Sequence, residues 1–405
     1  MLTSQQKEVT DIVLHEISAS AGIPFVYRIG GYAGTGKTFT IAHIRKELYK
    51  LYPRTEVAFA TFTGKASSVL RTKLTEQNAE FSQDYIGTIH GLIYTPKTIY
   101  NVALKKFVIV GWRLKKPEDL LFDIIFIDEA SMVSRNIWKD LLSFNKPIVV
   151  VGDHGQLPPV GESSFSLMKE PDFILTEIHR QAYNSPIVKL SKFIRDYGYI
   201  PYKIQSRDVI KLNWKTQKCK DIWESIQFDE SIIVLCAFNA SRVNINDNIR
   251  KKLNYKNKKP YPGERIVCLR NNRSSGLMNG QIGTVLWVMP ETNNLYRITM
   301  YLDGDPDPFE TIVSDKCFGQ VEYPLYEKEK THGKGKPGIY KGQQIDYFDY
   351  GNCISVHKSQ GSEWDKVILF EQRTKRWDND FYTKWLYTAV TRAKKKLIVI
   401  GDAYI

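Results

Sequence analysis

Two patterns alternate along the N-terminal part of the chain. Short apolar runs, VYRI at 26–29, VAFATF at 57–62, DIIFIDE at 123–129 and PIVVVGD at 147–153, are separated by stretches of helical periodicity, FTIAHIRKELYKLY, ASSVLRTKL and NIWKDLLSF. This alternation predicts a parallel sheet wrapped by helices, with active residues at the carboxyl ends of its strands. The order breaks twice. From Tyr94 to Lys116 two β-rich runs flank Leu104 to Lys106, which predicts a hairpin inserted in the first domain. A second α/β pattern starts at SIIVLCAFNASRVNINDNIRKKL (231–253) and is interrupted from about Pro262 to Gly342 by short strands such as RIVCL, IGTVLWVM and LYRITMYL. That interruption predicts a small barrel-like insert, with a solvated loop at EKEKTHGKGKPGIYKG. The parallel pattern resumes with NCISVHKSQ, KVILF and KLIVIGD.

Composition narrows the class. A chain of 405 residues exceeds the size of a single core, so two or more domains are expected. With 42% apolar and 25% charged residues it reads as soluble and globular. No apolar run approaches the ~18–20 residues of a membrane span. MLTSQQKEVTDIVLHEI has the mixed pattern of an amphipathic helix rather than a signal peptide, so a cytoplasmic protein is expected. Cys219, Cys236, Cys268, Cys317 and Cys353 are dispersed and odd in number, which predicts buried thiols rather than disulfides or a zinc site. The net charge of +13 suits either a polyanionic partner or a plain basic surface.

The chemistry is concentrated in GGYAGTGKTFT, where Gly31, Gly36, Lys37 and Thr38 fit G-x-x-x-x-G-K-[ST] between a strand and a helix. Glycines let backbone N–H groups close around phosphates, Lys37 brings charge to the terminal phosphates, and Thr38 offers a hydroxyl to magnesium. Gly31, Gly34, Thr35, Gly36, Lys37, Thr38 and Phe39 are therefore the candidate nucleotide-binding residues. DIIFIDEASM supplies Asp128 as a second Mg2+ partner and Glu129 to polarise the attacking water. In VVVGDHGQLPPVG the amide of Gln156 is a candidate sensor of the γ-phosphate; a polar turn closed by Pro158 and Pro159 is the other reading.

These motifs, with TFTGKASSVL, IGTIHGLI, LTEIHRQ, VHKSQGSEWDKVIL and YTAVTRAKKKLIVIG in order, resemble the superfamily-one DNA helicases of the 5′-to-3′ branch. Within that branch of RecD-like enzymes the resemblance leans toward the compact phage Dda type. It implies an α/β fold of two RecA-like parallel-sheet domains, with a β-hairpin pin in the first and an SH3-like β-barrel in the second. The implied boundaries are 1–180 for domain 1A with its pin at 92–120, 181–261 and 343–405 for domain 2A, and 262–342 for the barrel. The resemblance also implies that Gln6 reads adenine, Arg180 and Arg392 surround the γ-phosphate, Glu363 approaches the ribose and Gly361 permits close packing. ATP and Mg2+ follow as cofactors.

The strand-facing positions implied are Thr63, Lys65, Thr88 and His90 in the first domain and His357, Lys358 and Ser359 in the second, gripping phosphates without reading sequence. Phe62 stands where relatives have proline, and two readings remain for it, stacking on a base or burial under the strand end. Leu104 and Phe107 are candidates for the pin tip, with packing on the parent domain as the alternative. In PGERIVCLRNNRSSGLMNGQIGTV, Asn279, Gly280 and Gly283 read as turn residues and Arg270 and Arg273 as possible DNA contacts. The expected activity is ATP-dependent 5′-to-3′ translocation on single-stranded DNA with duplex unwinding, by a monomer working on single-stranded and forked DNA beside single-strand-binding, replication or recombination proteins. Two other readings stand beside it, a translocase that strips bound proteins and an ATP-gated strand-binding subunit of a larger complex.

Overall fold

The computed structural model describes residues 2–101, 106–158, 165–177, 184–270, 279–304, 308–321 and 338–401, together with 272, 275 and 277. Among the described residues, the first part of the chain carries the strands β1 (Val26–Gly31), β2 (Val57–Thr61), β3 (Tyr85–Thr88), β4 (Tyr94–Asn101), β5 (Lys106–Leu114), β6 (Ile124–Ile127), β7 (Ile148–Gly152) and β8 (Phe173–Leu175). Six of them form one sheet in the order β3-β2-β6-β7-β1-β8, and every pairing is parallel. The reason lies in two-sided burial. Ile29, Phe59, Phe126 and Val149 face one core, while Ala58, Ile125, Ile127 and Val150 face another, so successive residues of each strand are apolar. Strand β8 was not legible in the sequence because three residues, one of them exposed, make no pattern.

The expected hairpin is present as β4 and β5, antiparallel and paired from Tyr94–Leu114 to Asn101–Lys106. Its tip, including Leu104, lies outside the described residues, and so does the Phe107 side chain.

A second parallel sheet is built from β9 (Val209–Asn213), β10 (Ile232–Cys236), β18 (Cys353–Ser355), β19 (Trp364–Phe370) and β20 (Ala393–Gly401), ordered β18-β10-β19-β20-β9. It is buried on both faces in the same manner, Ile233, Leu235 and Val367 against one core and Val234, Cys236 and Ile368 against the other. Between β10 and β18 the chain makes an antiparallel sheet of β11 (Arg265–Cys268), β12 (Ile282–Pro290), β13 (Leu295–Leu302), β14 (Pro308–Ser314) and β17 (Phe348–Tyr350), with the short pair β15 (Ile339–Tyr340) and β16 (Gln343–Gln344) beside it. The return to the parallel sheet therefore falls at Cys353 rather than at residue 343. Phe348 and Tyr350 are buried aromatics that pair with Cys268 and Ile266 and pack on Phe318, which holds that segment in the insert.

One helix anchors the insert. Asn239–Lys252 reads as polar, yet Arg242, Asn246 and Arg250, four residues apart and so on one face, are all buried. Arg242 pairs with Asp349, Asn246 donates to the carbonyls of Tyr350 and Cys353, and Arg250 pairs with Glu264. Buried charge is tolerated there because each group meets a partner from the insert or from β18. All five cysteines are buried and free, as expected. Among the described residues no helix is long and apolar enough to cross a membrane.

Candidate active site between two lobes

The loop after β1 turns into the helix Lys37–Leu51 through Gly34 and Gly36, both at positive φ (82° and 75°). Glycine meets that requirement without the steric cost a side chain brings. Gly36 also has no room for a Cβ, which would lie 2.5 Å from Gln6 Nε2. Gln6 is fully buried: its Nε2 donates to Thr35 O at 3.0 Å, and its Oε1 accepts from Thr3 N–H at 3.0 Å. The amide thus ties the start of its own helix to the loop at Thr35. Lys37 Nζ donates to Gly31 O (2.9 Å) and Tyr32 O (3.2 Å) and lies 4.0 Å from Asp153 Oδ2. Phe39 sits in the first turn of the same helix, half-buried.

At the end of β6, Asp128 Oδ2 accepts from Thr38 Oγ1 at 3.1 Å, and Asp128 Oδ1 accepts from the Glu129 N–H at 2.8 Å. Burial raises the Asp128 carboxyl above its ordinary range, against the Glu129 N–H, Lys37 and Thr38. Glu129 adopts φ 55°, unusual for a side-chain-bearing residue, and its Oε2 is buried with no hydrogen-bond partner among the described residues. Burial and the neighbouring Asp128 push Glu129 up to about 7, opposed by Arg392 and Lys37, with Glu363 adding to the rise. A carboxylate poised near neutrality with an unoccupied oxygen has the character of a general base.

The second lobe supplies two of the groups that bear on Glu129. Arg392 is buried just past the helix Asn379–Val390, donating from Nε to Thr388 O (3.0 Å) and from a guanidinium nitrogen to Ser362 O (3.2 Å). Gly361, at φ 68°, approaches the first lobe so closely that a Cβ would lie 2.9 Å from Met132 Sδ and 3.6 Å from Thr63 Oγ1. Glu363 is exposed and 3.9 Å from Lys394. Gln156 is buried, with Nε2 3.5 Å from Asp153 Oδ2 and Oε1 unpartnered among the described residues. Arg180 lies outside the described residues.

Sequence reasoning passed over three residues here. Asp153 accepts from Gly155 N–H (2.9 Å) and from the Tyr387 hydroxyl (2.8 Å), and Thr388 accepts from Leu157 N–H (2.9 Å). Asp153 had a signal, an acid at a strand end; Tyr387 and Thr388 lie on an apolar helix and look like core.

The expected strand-facing residues separate into two groups. Thr63 and Thr88, at the carboxyl ends of β2 and β3, cap the helices that follow by accepting from Ala66 N–H and Gly91 N–H, each at 3.1 Å. Phe62 is half-buried, His90 lies 5.0 Å from the Tyr94 ring, and the Lys65 side chain is outside the described residues. In the second lobe His357 keeps part of its surface, 6.0 Å from the Phe381 ring. Lys358 and Ser359 depart from expectation. Ser359 is fully buried and donates to Val356 O at 2.7 Å, closing a turn. The Lys358 ammonium points inward, where burial and Arg242 lower it to about 8. Gly280 of the insert lies against the same segment, Lys358 O being 3.3 Å from where a Cβ at Gly280 would be. Asn279 is exposed in the adjoining turn, Gly283 passes the Tyr301 carbonyl on β13, Arg270 is half-buried near the Tyr347 ring, and Arg273 is outside the described residues.

Residues 17–162 match the AAA domain family, and residues 350–400 match the UvrD-like helicase C-terminal domain family. The RecBCD enzyme subunit RecD of Buchnera aphidicola is 24% identical over 93% of this chain and 70% of its own length. The ATP-dependent RecD2 DNA helicase of Deinococcus radiodurans is 24% identical over 95% of this chain, which spans 48% of that protein. The ATP-dependent DNA helicase Pif1 of Campylobacter jejuni is 23% identical over 90% of this chain and 86% of its own. The structure of Bacteroides Pif1 helicase in complex with ADP-AlF3 and ssDNA covers the whole chain and 93% of its own, with TM-score 0.52 and 20% identity, a shared fold.

Proposed function

We infer that the chain, similar along nearly its whole length to RecD- and Pif1-type helicases, is a superfamily 1 ATP-dependent DNA helicase whose two lobes share one triphosphate. The observation that carries this reading is Glu129, buried with a free oxygen beside Asp128 on one lobe and under the charge of Arg392 from the other.

The residues divide the work. Backbone N–H groups of the loop from Ala33 to Phe39 and the Lys37 ammonium hold the phosphates. Thr38 and Asp128, two hard oxygen donors 3.1 Å apart, fit Mg2+, and Mg2+ when bound supplies charge against the phosphates. Glu129 takes the proton of the attacking water through Oε2, and Gln156 orients that water. Arg392 offsets the negative charge that grows as the terminal phosphate separates. Because Arg392 and Gly361 belong to the second lobe, losing that phosphate weakens the attraction between lobes and changes how they grip a strand.

The strand lies across the carboxyl ends of β2 and β3 and reaches His357 on the second lobe. Thr63 and Thr88 sit at helix starts, Phe62 and His90 offer rings, and backbone N–H groups bind phosphates without reading sequence. The hairpin of β4 and β5 is the pin that meets the fork, and the antiparallel insert is the SH3-like module behind it. Domain 1A spans 1–180; domain 2A takes up its sheet again at Cys353.

Strand displacement on matched duplexes with 5′ or 3′ single-stranded tails tests the reading. ATP-dependent displacement of the 5′-tailed substrate is expected, and displacement confined to the 3′-tailed one overturns the polarity. Robust ATP hydrolysis with movement on single strands but no displacement favours the protein-stripping translocase instead. Strand affinity should fall with salt at a log–log slope of about −0.7 per phosphate contact.

A further inference from the structure

The P-loop is tied to the second lobe by a phenol. Tyr387, buried at the end of the helix Asn379–Val390, accepts from the Ala33 N–H at 2.7 Å and donates to Asp153 Oδ2 at 2.8 Å. Ala33 belongs to the loop whose N–H groups cradle phosphate, and Asp153 opens the loop that carries Gln156. One hydroxyl therefore bridges three segments. The next residue adds to the joint, since Thr388 Oγ1 accepts from Leu157 N–H, and Arg392 follows four residues later on the same chain segment. On its outer side the Tyr32 ring of the P-loop lies 6.2 Å from the Tyr387 ring, edge on, and is covered by Arg195 of the second lobe, 3.8 Å from its centroid.

The chemistry of the bridge gives it a direction. Burial raises the Tyr387 hydroxyl far above its ordinary range, and Asp153 adds to the rise, so the phenol keeps its proton and donates it to Asp153. The Ala33 N–H, by contrast, is a donor that an anion seated in the loop also attracts. A phosphate in the loop and the phenol therefore compete for one hydrogen. When the phosphate wins, the phenol is left with Asp153 alone, and the helix end that carries it is free to shift with Thr388 and Arg392.

Resting on the helicase reading above, we propose that Tyr387 is a positioning residue that reports occupancy of the P-loop to the second lobe, through exchange of its Ala33 hydrogen bond for phosphate. Its role is in coupling rather than in chemistry. Tyr387→Phe removes the hydroxyl and keeps the ring.

The test measures the affinity of the full chain for a fluorescein-labelled oligo-dT, without nucleotide and with a non-hydrolysable ATP analogue plus Mg2+. In the wild type the two dissociation constants should differ at least tenfold; in Tyr387→Phe the ratio should shrink to within about twofold, with the nucleotide-free affinity unchanged. Hydrogen exchange in the segment 30–36 should be faster in the variant without nucleotide and equal to wild type with the analogue. Thr388→Val, which removes a neighbouring interlobe bond without touching the P-loop, should keep most of the wild-type ratio. A Tyr387→Phe protein with the wild-type ratio overturns the assignment, and so does an equal loss in Thr388→Val, which would mark lobe packing as the cause. A wild type that shows no nucleotide-dependent change overturns the helicase reading itself, a result distinct from either.

Discussion

At the carboxyl ends of the first parallel sheet the loops carry glycine and charge: Gly34 and Gly36 after β1, Asp128 and Glu129 after β6, Asp153 after β7. At the same ends of the second sheet they carry rings, His357 after β18 and Trp377 after β19 against Phe381, and Phe238 after β10 against Trp377. Both sheets are parallel, five or six strands wide, and buried on both faces. The architecture is shared, and the division of labour is not. The first lobe can hold an anion with its own backbone. Among the described residues the second shows no such loop and presents Arg392, Gly361 and Tyr387 to its neighbour.

That asymmetry can be broken from either side. Lys37→Ala strikes the anion-holding lobe and should take ATP hydrolysis, followed by phosphate release, below detection while strand binding persists. Undiminished hydrolysis would show that the phosphates are held elsewhere. Arg392→Ala removes the contribution of the second lobe, and kcat should fall by about 10^3-fold with nucleotide binding retained; a loss of ten-fold or less would mean that the lobes do not share the transition state.

Glu129→Gln should slow hydrolysis by roughly 10^2-fold. With Glu129 raised to about 7, the base becomes active as pH climbs through neutrality, so wild-type hydrolysis should rise across that range and the variant should lose this limb. The same shift has a stability consequence. Between the ordinary carboxyl value of 4.5 and about 7 the folded chain holds a proton that the unfolded chain has released, so this group's contribution to stability falls as pH rises through that window. Thermal melts of wild type and Glu129→Gln against pH separate the two, and parallel profiles would remove Glu129 as their source.

Gly361→Ala is the mildest of these changes. A left-handed alanine costs about 1–2 kcal/mol, and its Cβ presses on Met132 across the lobe interface. A modest drop in melting temperature with a severalfold loss of DNA-stimulated hydrolysis is expected; an unchanged enzyme would show that the lobes do not approach there during turnover.

Much of this was legible in the chain itself. Strands buried on both faces announce themselves as unbroken apolar runs, and the G-x-x-x-x-G-K-[ST] spacing of Gly31, Gly36, Lys37 and Thr38 and the acids ending the β6 run are local, so both survive as pattern. The hidden parts are those whose meaning depends on what lies opposite. Arg242, Asn246 and Arg250 look like a solvated helix face and are buried, because the insert brings Asp349 and Glu264 to meet two of them. Lys358 and Ser359 look exposed in a polar motif, yet the Ser359 hydroxyl and the Lys358 ammonium are buried. The bond from Gln6 to the Thr35 carbonyl, 29 residues away, has no trace in the local pattern.

The two sheets, the glycine-rich G-x-x-x-x-G-K-[ST] loop and the acids after β6 can be read along the chain, since each rests on local periodicity or on spacing along a few residues. Only the tertiary structure decided the joint between lobes. It set Tyr387 between Ala33 and Asp153, brought Gly361 against Met132, and put the charge of Arg392 on Glu129. Those partners are separated by hundreds of residues, and a hydrogen bond or a Coulomb interaction depends on distance in space, which chain order does not encode.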